Sequence, residues 1–433
     1  MKRLRVWLIL ACLCTSCMGL IDFDYYWQAD LGRYELLFGD FNRCYSQVWG
    51  VTSGTYLDHE WLCNIFFYVC SGFGEYSVLI TKMVMALIIG AGIVFALRGY
   101  SLNGTQESLV LAAVLTFSLV FFKVKAYSFS VLFLLLELQA LREKKYNLLW
   151  LCILWANTHS GSVVLFLGVY GAYVLFNKFQ GIRGFIISSL GILINPYGFS
   201  LVVFNLRHAL DSTMGMVITD WDCLDAGTGL GILVLIVMIA VFYLNRGYER
   251  FISCVFIFMS LVNARHAIYL FPLLILGITS HDFKRDFRFS RQYVSISLAW
   301  VLILSLFSFN PKQFNLDVMP EELEELLLEA PDSTGLFTSA VDVIHLGIQP
   351  FTTGAYPMHP DRMQDTLTLL SFGSSQEIKA IIDHYGLTRF VFCKWDEKCE
   401  YYQIENPLYG YLSGNPGYEC LYDSDGLCYF AVR

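Results

Sequence analysis

From residue 5 to residue 309 the chain is a series of apolar segments, separated by short charged or aromatic stretches. A helix that crosses a bilayer needs about 20 such residues, with a range of about 17–25. In hydrocarbon every backbone N–H and C=O must be bonded internally, so such a series reads as a helical bundle. The segments fall near 5–21, 77–97, 108–122, 127–141, 147–159, 162–177, 184–195, 228–245, 250–263, 266–280 and 292–309. The predicted fold class is a polytopic α-helical membrane protein with about eleven transmembrane helices. Residues 198–210 extend the segment before Pro196 or form a separate interfacial helix. Composition agrees: 56% of residues are hydrophobic and 15% charged, outside the range of soluble domains. A net charge of −8 supplies no basic face for nucleic acid. Thirteen cysteines in 433 residues are too dilute for a disulfide scaffold.

The pattern changes near residue 310. Pro311, Pro320, Pro331, Pro350, Pro357, Pro360, Pro407 and Pro416 follow, with the acidic run from Glu321 to Glu329. Two domains are predicted: 1–309 in the membrane and 310–433 outside it. In the second, 321–330 and 375–385 read as helices, and 335–338, 389–393 and 428–432 as strands. That order describes a small α/β domain. Cys393, Cys399, Cys420 and Cys428 leave a disulfide open there.

Basic residues set orientation. With the N-terminus cytoplasmic, Lys2, Arg3, Arg5, Arg142, Lys144, Lys145 and the group from Lys284 to Arg291 all fall inside. The outer loops keep fewer: Arg33, Arg43, Lys123, Lys125, Arg207 and Arg265. The C-terminal domain is then extracytoplasmic. Segment 5–21, with three bases before it, also admits a signal-peptide reading.

The outer side carries the chemistry. The long first outer loop, 22–76, opens Asp22-Phe23-Asp24-Tyr25-Tyr26-Trp27 and later shows Asp58-His59-Glu60-Trp61. A carboxylate at a helix end beside headgroups is partly desolvated. It can take a proton from a hydroxyl or hold a cation against a phosphate. Asp220, Asp222 and Asp225 form a second acidic group around Trp221. The plainer readings are an acidic loop with an aromatic belt, lysines that snorkel, and an Arg265-His266 pair anchored to headgroups.

The order of these motifs resembles the bacterial GT-C superfamily of membrane glycosyltransferases, in the glycosyltransferase 39 branch that uses polyprenyl-phosphate sugars. The resemblance rests on Asp22-Phe23-Asp24-Tyr25-Tyr26-Trp27-Gln28, Gly32-Arg33 and His59-Glu60-Trp61-Leu62. It continues through Trp155-Ala156-Asn157-Thr158-His159-Ser160-Gly161, Asn195-Pro196-Tyr197-Gly198, Thr219-Asp220-Trp221 and Asn263-Ala264-Arg265-His266. It covers roughly residues 1–280. Gln28 stands where that branch has His, Ser160 where it has Gly, and Lys123-Val124-Lys125 where it has an Arg-Pro-Gln stretch.

The resemblance implies a GT-C-type fold and inverting sugar transfer to an extracytoplasmic glycan or lipid of the cell envelope. Asp22 would be the general base and Asp24 its positioning partner. Trp27, Arg33, His59, Glu60, Lys123, Lys125, His159, Arg265 and His266 would bind substrate. The donor is the polyprenyl-phosphate sugar; no cofactor and no metal ligand is predicted, and a divalent ion is optional. A transporter or flippase for lipid-linked glycans, or a non-catalytic assembly protein of the same fold, is the alternative. Transporters place charged sites at mid-membrane in repeated halves; this chain keeps its carboxylates at the outer end and shows no repeat.

Overall fold

The computed structural model describes residues 24–39, 57–120, 122–210, 229–281, 321–328, 335–337, 365, 368–369, 373–393, 406–424 and 427–433. The architecture is mostly helical, with one small sheet near the C-terminus. The helices in chain order are α1 (Asp24–Phe38), α2 (Trp61–Ser71), α3 (Ser77–Ala96), α4 (Gly104–Val120), α5 (Tyr127–Arg142) and α6 (Leu149–Thr158). They continue with α7 (Val163–Phe176), α8 (Ile182–Ser189), α9 (Phe199–Leu210), α10 (Gly229–Leu244), α11 (Gly247–Val262) and α12 (Leu270–Ser280). Short 3₁₀ turns at Ser160–Ser162 and Ala264–Tyr269 precede α7 and α12.

Two corrections to the predicted spans follow. Among the described residues α3 alone is long and apolar enough to cross a bilayer, so the series of about eleven spans is not reproduced there. Most other apolar segments form helices cut short by polar turns: α6 stops at Thr158, where His159 leaves helical geometry. Loop 22–76 is not simply a loop, because it contains α1 and α2. Segments 5–21 and 292–309 lie outside the described residues, and so does the boundary near 310.

α5 is the buried hub of the bundle. It packs on α3, α6, α7 and α12, and it is buried on every side, mostly through Phe129, Val131, Leu134, Leu135 and Leu138. Gly92 lets α3 come close: a Cβ there would fall 2.2 Å from Leu132 Cδ1. At its far end Arg142 forms a bidentate pair with Glu249 of α11, at 2.5 and 2.7 Å. The same guanidinium donates to Leu276 O at 2.9 Å and Ser280 Oγ at 2.6 Å, satisfying the end of α12.

The outward faces of the bundle are apolar as well. Along α10, Ile232, Ile236, Ile239 and Tyr243 form one stripe that is 52–69% exposed, while Val234, Met238 and Val241 face inward. A helix that is apolar all round is a core helix or a membrane helix.

The chain divides into two compact units. The first takes Asp24, Tyr25 and the described residues from His59 to His281. The second takes the rest of α1, Asp58 and the C-terminal elements α13 (Glu321–Leu328), α14 (Ser375–Tyr385), α15 (Pro407–Ser413) and the sheet. Its strands β1 (Gly335–Phe337), β2 (Arg389–Cys393), β3 (Tyr418–Ser424) and β4 (Leu427–Val432) run in the order β1-β2-β4-β3. β1 and β2 are parallel and the other pairs antiparallel.

Alternation sorts the side chains of this sheet. Phe390, Phe392, Cys428 and Phe430 pack with Ile378 and Ile382 of α14 and Leu408 and Leu412 of α15. Val391 and Tyr429 meet Leu323 and Leu327 of α13 on the other face. Ser374 and Glu377 close a capping box on α14, and Gly386 ends that helix at φ 63°. Cys420 and Cys428 form no disulfide with each other. Register explains why: Cys420 lies opposite Phe430, and Cys428 opposite Asp423.

Candidate functional site

Three of the sequence motifs meet in the first unit. Trp61, which opens α2, donates from Nε1 to Asn157 Oδ1 at 2.9 Å, across 96 positions of sequence. Asn157 then donates from Nδ2 to Ile153 O at 2.7 Å and Ile194 O at 2.8 Å. That last bond fixes the start of the Asn195-Pro196-Tyr197-Gly198 turn. Within the turn Tyr197 N donates to Asn195 Oδ1 at 2.8 Å, and Gly198 supplies the positive φ of 54°.

The same junction seats His59, Glu60 and His159. Ser160 N donates to His59 O at 2.9 Å, which ties the α2 entry to the turn after α6. Glu60 Oε1 lies 3.4 Å from His159 Nε2 and 3.8 Å from His59 Nε2. On its other side His159 Nδ1 contacts Ser130 Oγ at 2.7 Å and Ser162 Oγ at 2.8 Å. The two hydroxyls are 2.7 Å apart, and Trp155 Nε1 donates to Ser162 at 2.8 Å. With a serine hydroxyl donating into Nδ1, the imidazole proton sits on Nε2 and faces the Glu60 carboxylate. The network holds the Glu60 carboxyl at a fixed place.

Arg265 supplies the cation. Its guanidinium lies over the Tyr127 ring, 5.1 Å from the centroid, and its charge acts on both His159 and Tyr269. Asn263 fixes the local backbone by accepting from Arg265 N at 3.0 Å. His266 stacks on Tyr269 with centroids 6.2 Å apart, and its Nδ1 lies 3.4 Å from Met259 O. Lys123 and Lys125, both half-buried, occupy the turn into α5, where their carbonyls accept from Ser128. So the structure brings together His59, Glu60, His159 and Arg265, with His266 beside them.

The remaining candidates are not among these contacts. Asp22 lies outside the described residues, as do Asp220, Asp222 and Asp225. Asp24 is the first residue of α1, and Trp27 falls in the same helix. The start of α1 is held by Tyr25, whose hydroxyl donates to Phe67 O at 3.3 Å and receives from Thr81 at 3.1 Å. Arg33, in the second unit, pairs along its own helix with Asp30 at 3.8 Å and lies over Tyr34. Glu35 and Asp58 form a buried carboxyl pair in that unit; burial first, then the Asp58 charge, holds the Glu35 carboxyl far above the usual carboxylate range.

Ser130, Ser162, Tyr127 and Tyr269 were not legible as site residues. Ser130 sits in an apolar helical run and Ser162 in the turn before α7, and in both places a hydroxyl reads as neutral filler. Lys82 is only 1% exposed, one residue beyond Thr81, and a lone lysine in a span gives no hint of its depth. Ser160, a departure from the family pattern, has a local role here: its Oγ accepts from Asn205 Nδ2 of α9 at 2.9 Å. Among the described residues no group of three or more His, Cys, Asp or Glu is arranged to hold a metal ion. No family model matches the chain, and a search of curated proteins finds no match.

Proposed function

We propose that the chain is a polytopic membrane glycosyltransferase of the GT-C type. It would transfer a sugar from a polyprenyl phosphate to a cell-envelope glycan or lipid outside the cytoplasmic membrane. The N-terminus is cytoplasmic in this reading and the 310–433 domain extracytoplasmic. One observation supports it above the others: motifs far apart in sequence converge on one carboxylate, two imidazoles and an arginine. The apolar outward faces of the helices support the membrane setting.

In this mechanism Asp22 takes the proton of an acceptor hydroxyl and Asp24 orients it. The acceptor oxygen attacks the anomeric carbon from the face opposite the phosphate. The bond from that carbon to the phosphate oxygen breaks, and polyprenyl phosphate leaves with the electron pair. Inversion follows from the single displacement. Charge grows on the leaving phosphate, where Arg265, His266, Lys123 and Lys125 provide cations and donors. Glu60, held by His159 and flanked by His59, accepts hydroxyls of the sugar.

The test uses membranes supplied with a labelled polyprenyl-phosphate sugar. Asp22→Asn and Asp24→Asn should each abolish transfer at normal expression, and Glu60→Gln should lower it at least tenfold, about 1.4 kcal/mol of transition-state stabilisation. Full activity in both aspartate variants refutes the assignment. Movement of intact lipid-linked glycan across the bilayer without transfer would identify a flippase instead.

A further inference from the structure

Glu137 lies in α5 and is 0% exposed, and no side chain hydrogen-bonds its carboxyl oxygens; the Tyr170 backbone lies beside them. At 1.5 Å per residue it stands about 15 Å along the helix from Tyr127 and about 7.5 Å from Arg142. It is therefore remote from the Glu60–His159 cluster. The titratable groups around it are Tyr170 of α7, Cys152 of α6 and Tyr248 of α11. α12 carries no ionisable side chain. α3 carries Lys82, at another level: Gly92 is abreast of Leu132, and Tyr100 bonds to Gln139. That offset sets Lys82 near the entry to α5, as the Arg265–Tyr127 contact does for the 264–269 turn. Arg142 is engaged by Glu249.

No cation among the described residues is thus placed to neutralise Glu137. An isolated carboxylate so buried costs many kcal/mol, and such groups neutralise instead. A second observation points the same way. The Tyr248 hydroxyl is also buried, beside the Glu249 carboxylate, and it stands within electrostatic reach of Glu137 and Arg142 as well. A hydroxyl that can both accept and donate links the carboxyl to the polar end of the bundle.

We propose that Glu137 is a proton-binding site inside the bundle, holding one exchangeable proton that arrives from the Arg142 end past the Tyr248 hydroxyl. Binding is a simple association of one proton with one carboxylate, with no redox partner. It is independent of sugar transfer and stands or falls separately from it.

The experiment treats the full-length protein in vesicles with dicyclohexylcarbodiimide, an apolar reagent that reacts with protonated carboxyls. The acid proton moves to a carbodiimide nitrogen and the carboxylate oxygen bonds to the central carbon; the acyl group of this O-acylisourea then migrates from oxygen to nitrogen, leaving a stable N-acylurea adduct. Peptide mass spectrometry should find the adduct on Glu137 in the wild type and lose it in Glu137→Gln. A water-soluble cationic carbodiimide should leave Glu137 unlabelled. Infrared spectroscopy in D₂O should show the acid C=O band shifting several-fold more slowly in Tyr248→Phe. Absence of a Glu137 adduct while other carboxyls react, or equal labelling by the water-soluble reagent, overturns the site. An unchanged exchange rate in Tyr248→Phe overturns the route. The wild-type adduct alone decides the site if Glu137→Gln fails to fold.

Discussion

The Arg142–Glu249 clamp offers a sharp test of how the bundle is held. Arg142→Met keeps the volume and stem and removes the charge. Glu249 is then left without its bidentate donor, in a place where the two side chains are only 15% and 12% exposed. Breaking a buried ion pair by removing one partner costs about 3–5 kcal/mol. The residual exposure points to the lower end, so about 3 kcal/mol is expected for Arg142→Met. Glu249→Leu should cost less, about 2 kcal/mol, because Arg142 still donates to Leu276 O and Ser280 Oγ. The double variant has no buried charge left but loses the α12 contacts, which gives about 1.5 kcal/mol. The coupling energy is then about 3.5 kcal/mol. Equilibrium unfolding in mixed micelles, followed by tryptophan fluorescence, measures all four proteins. A coupling below about 0.5 kcal/mol, or a Glu249 loss dearer than the Arg142 loss, refutes the reasoning.

Gly184→Ala should lower stability by about 1–3 kcal/mol through overpacking, since its Cβ would fall 2.3 Å from Tyr146 O and 2.7 Å from Tyr170 Oη. Gly168→Ala, with nothing within 4 Å, is the matched control and should unfold with the wild type. Glu35 has a folded pKa raised by burial and by Asp58, so its contribution is fully present below its ordinary value of 4.5 and is lost as pH rises above it. Glu35→Gln should therefore melt higher than wild type at pH 8, with the gap closing below pH 4.5; a gap independent of pH would contradict this. Asn406 caps α15 by accepting from Leu408 N and Tyr409 N. Asn406→Ala should cost about 1 kcal/mol, read as faster amide exchange across Pro407–Ser413, and unchanged exchange would count against the cap.

Much of the fold was legible because apolar period and turn chemistry act locally. Ser375–Tyr385 was read at its observed bounds: Ser374 and Glu377 mark the start, Gly386 the stop, and Ile378 and Ile382 the buried face. β3 escaped, since Tyr418–Ser424 mixes Glu419 and Asp423 into an edge strand with an irregular register at Cys420–Tyr422. The breaks in the spans were hidden for a different reason. Hydropathy averages over a window, whereas α6 ends on the geometry of one residue, His159. In the site, His59, Glu60, His159 and Arg265 were legible from residue type and motif order. The serines that orient His159 were not, because Ser130 and Ser162 gain their role only when α5 and the turn before α7 are packed together.

The apolar stripe on α10 has a consequence for how this chain tolerates change. In a water-soluble protein the exposed positions are the permissive ones. Here, on the proposed reading, Ile232, Ile236 and Ile239 face acyl chains and accept almost any apolar side chain, whatever its shape. A charge there meets about 2.5–3.5 kcal/mol of insertion cost at the centre of a span. Val234 and Val241, facing inward, are limited by volume instead. A saturation scan of the bundle would thus separate two kinds of apolar position. One kind discriminates polarity but not shape; the other discriminates both. That division would trace the lipid boundary around each helix without a membrane in view.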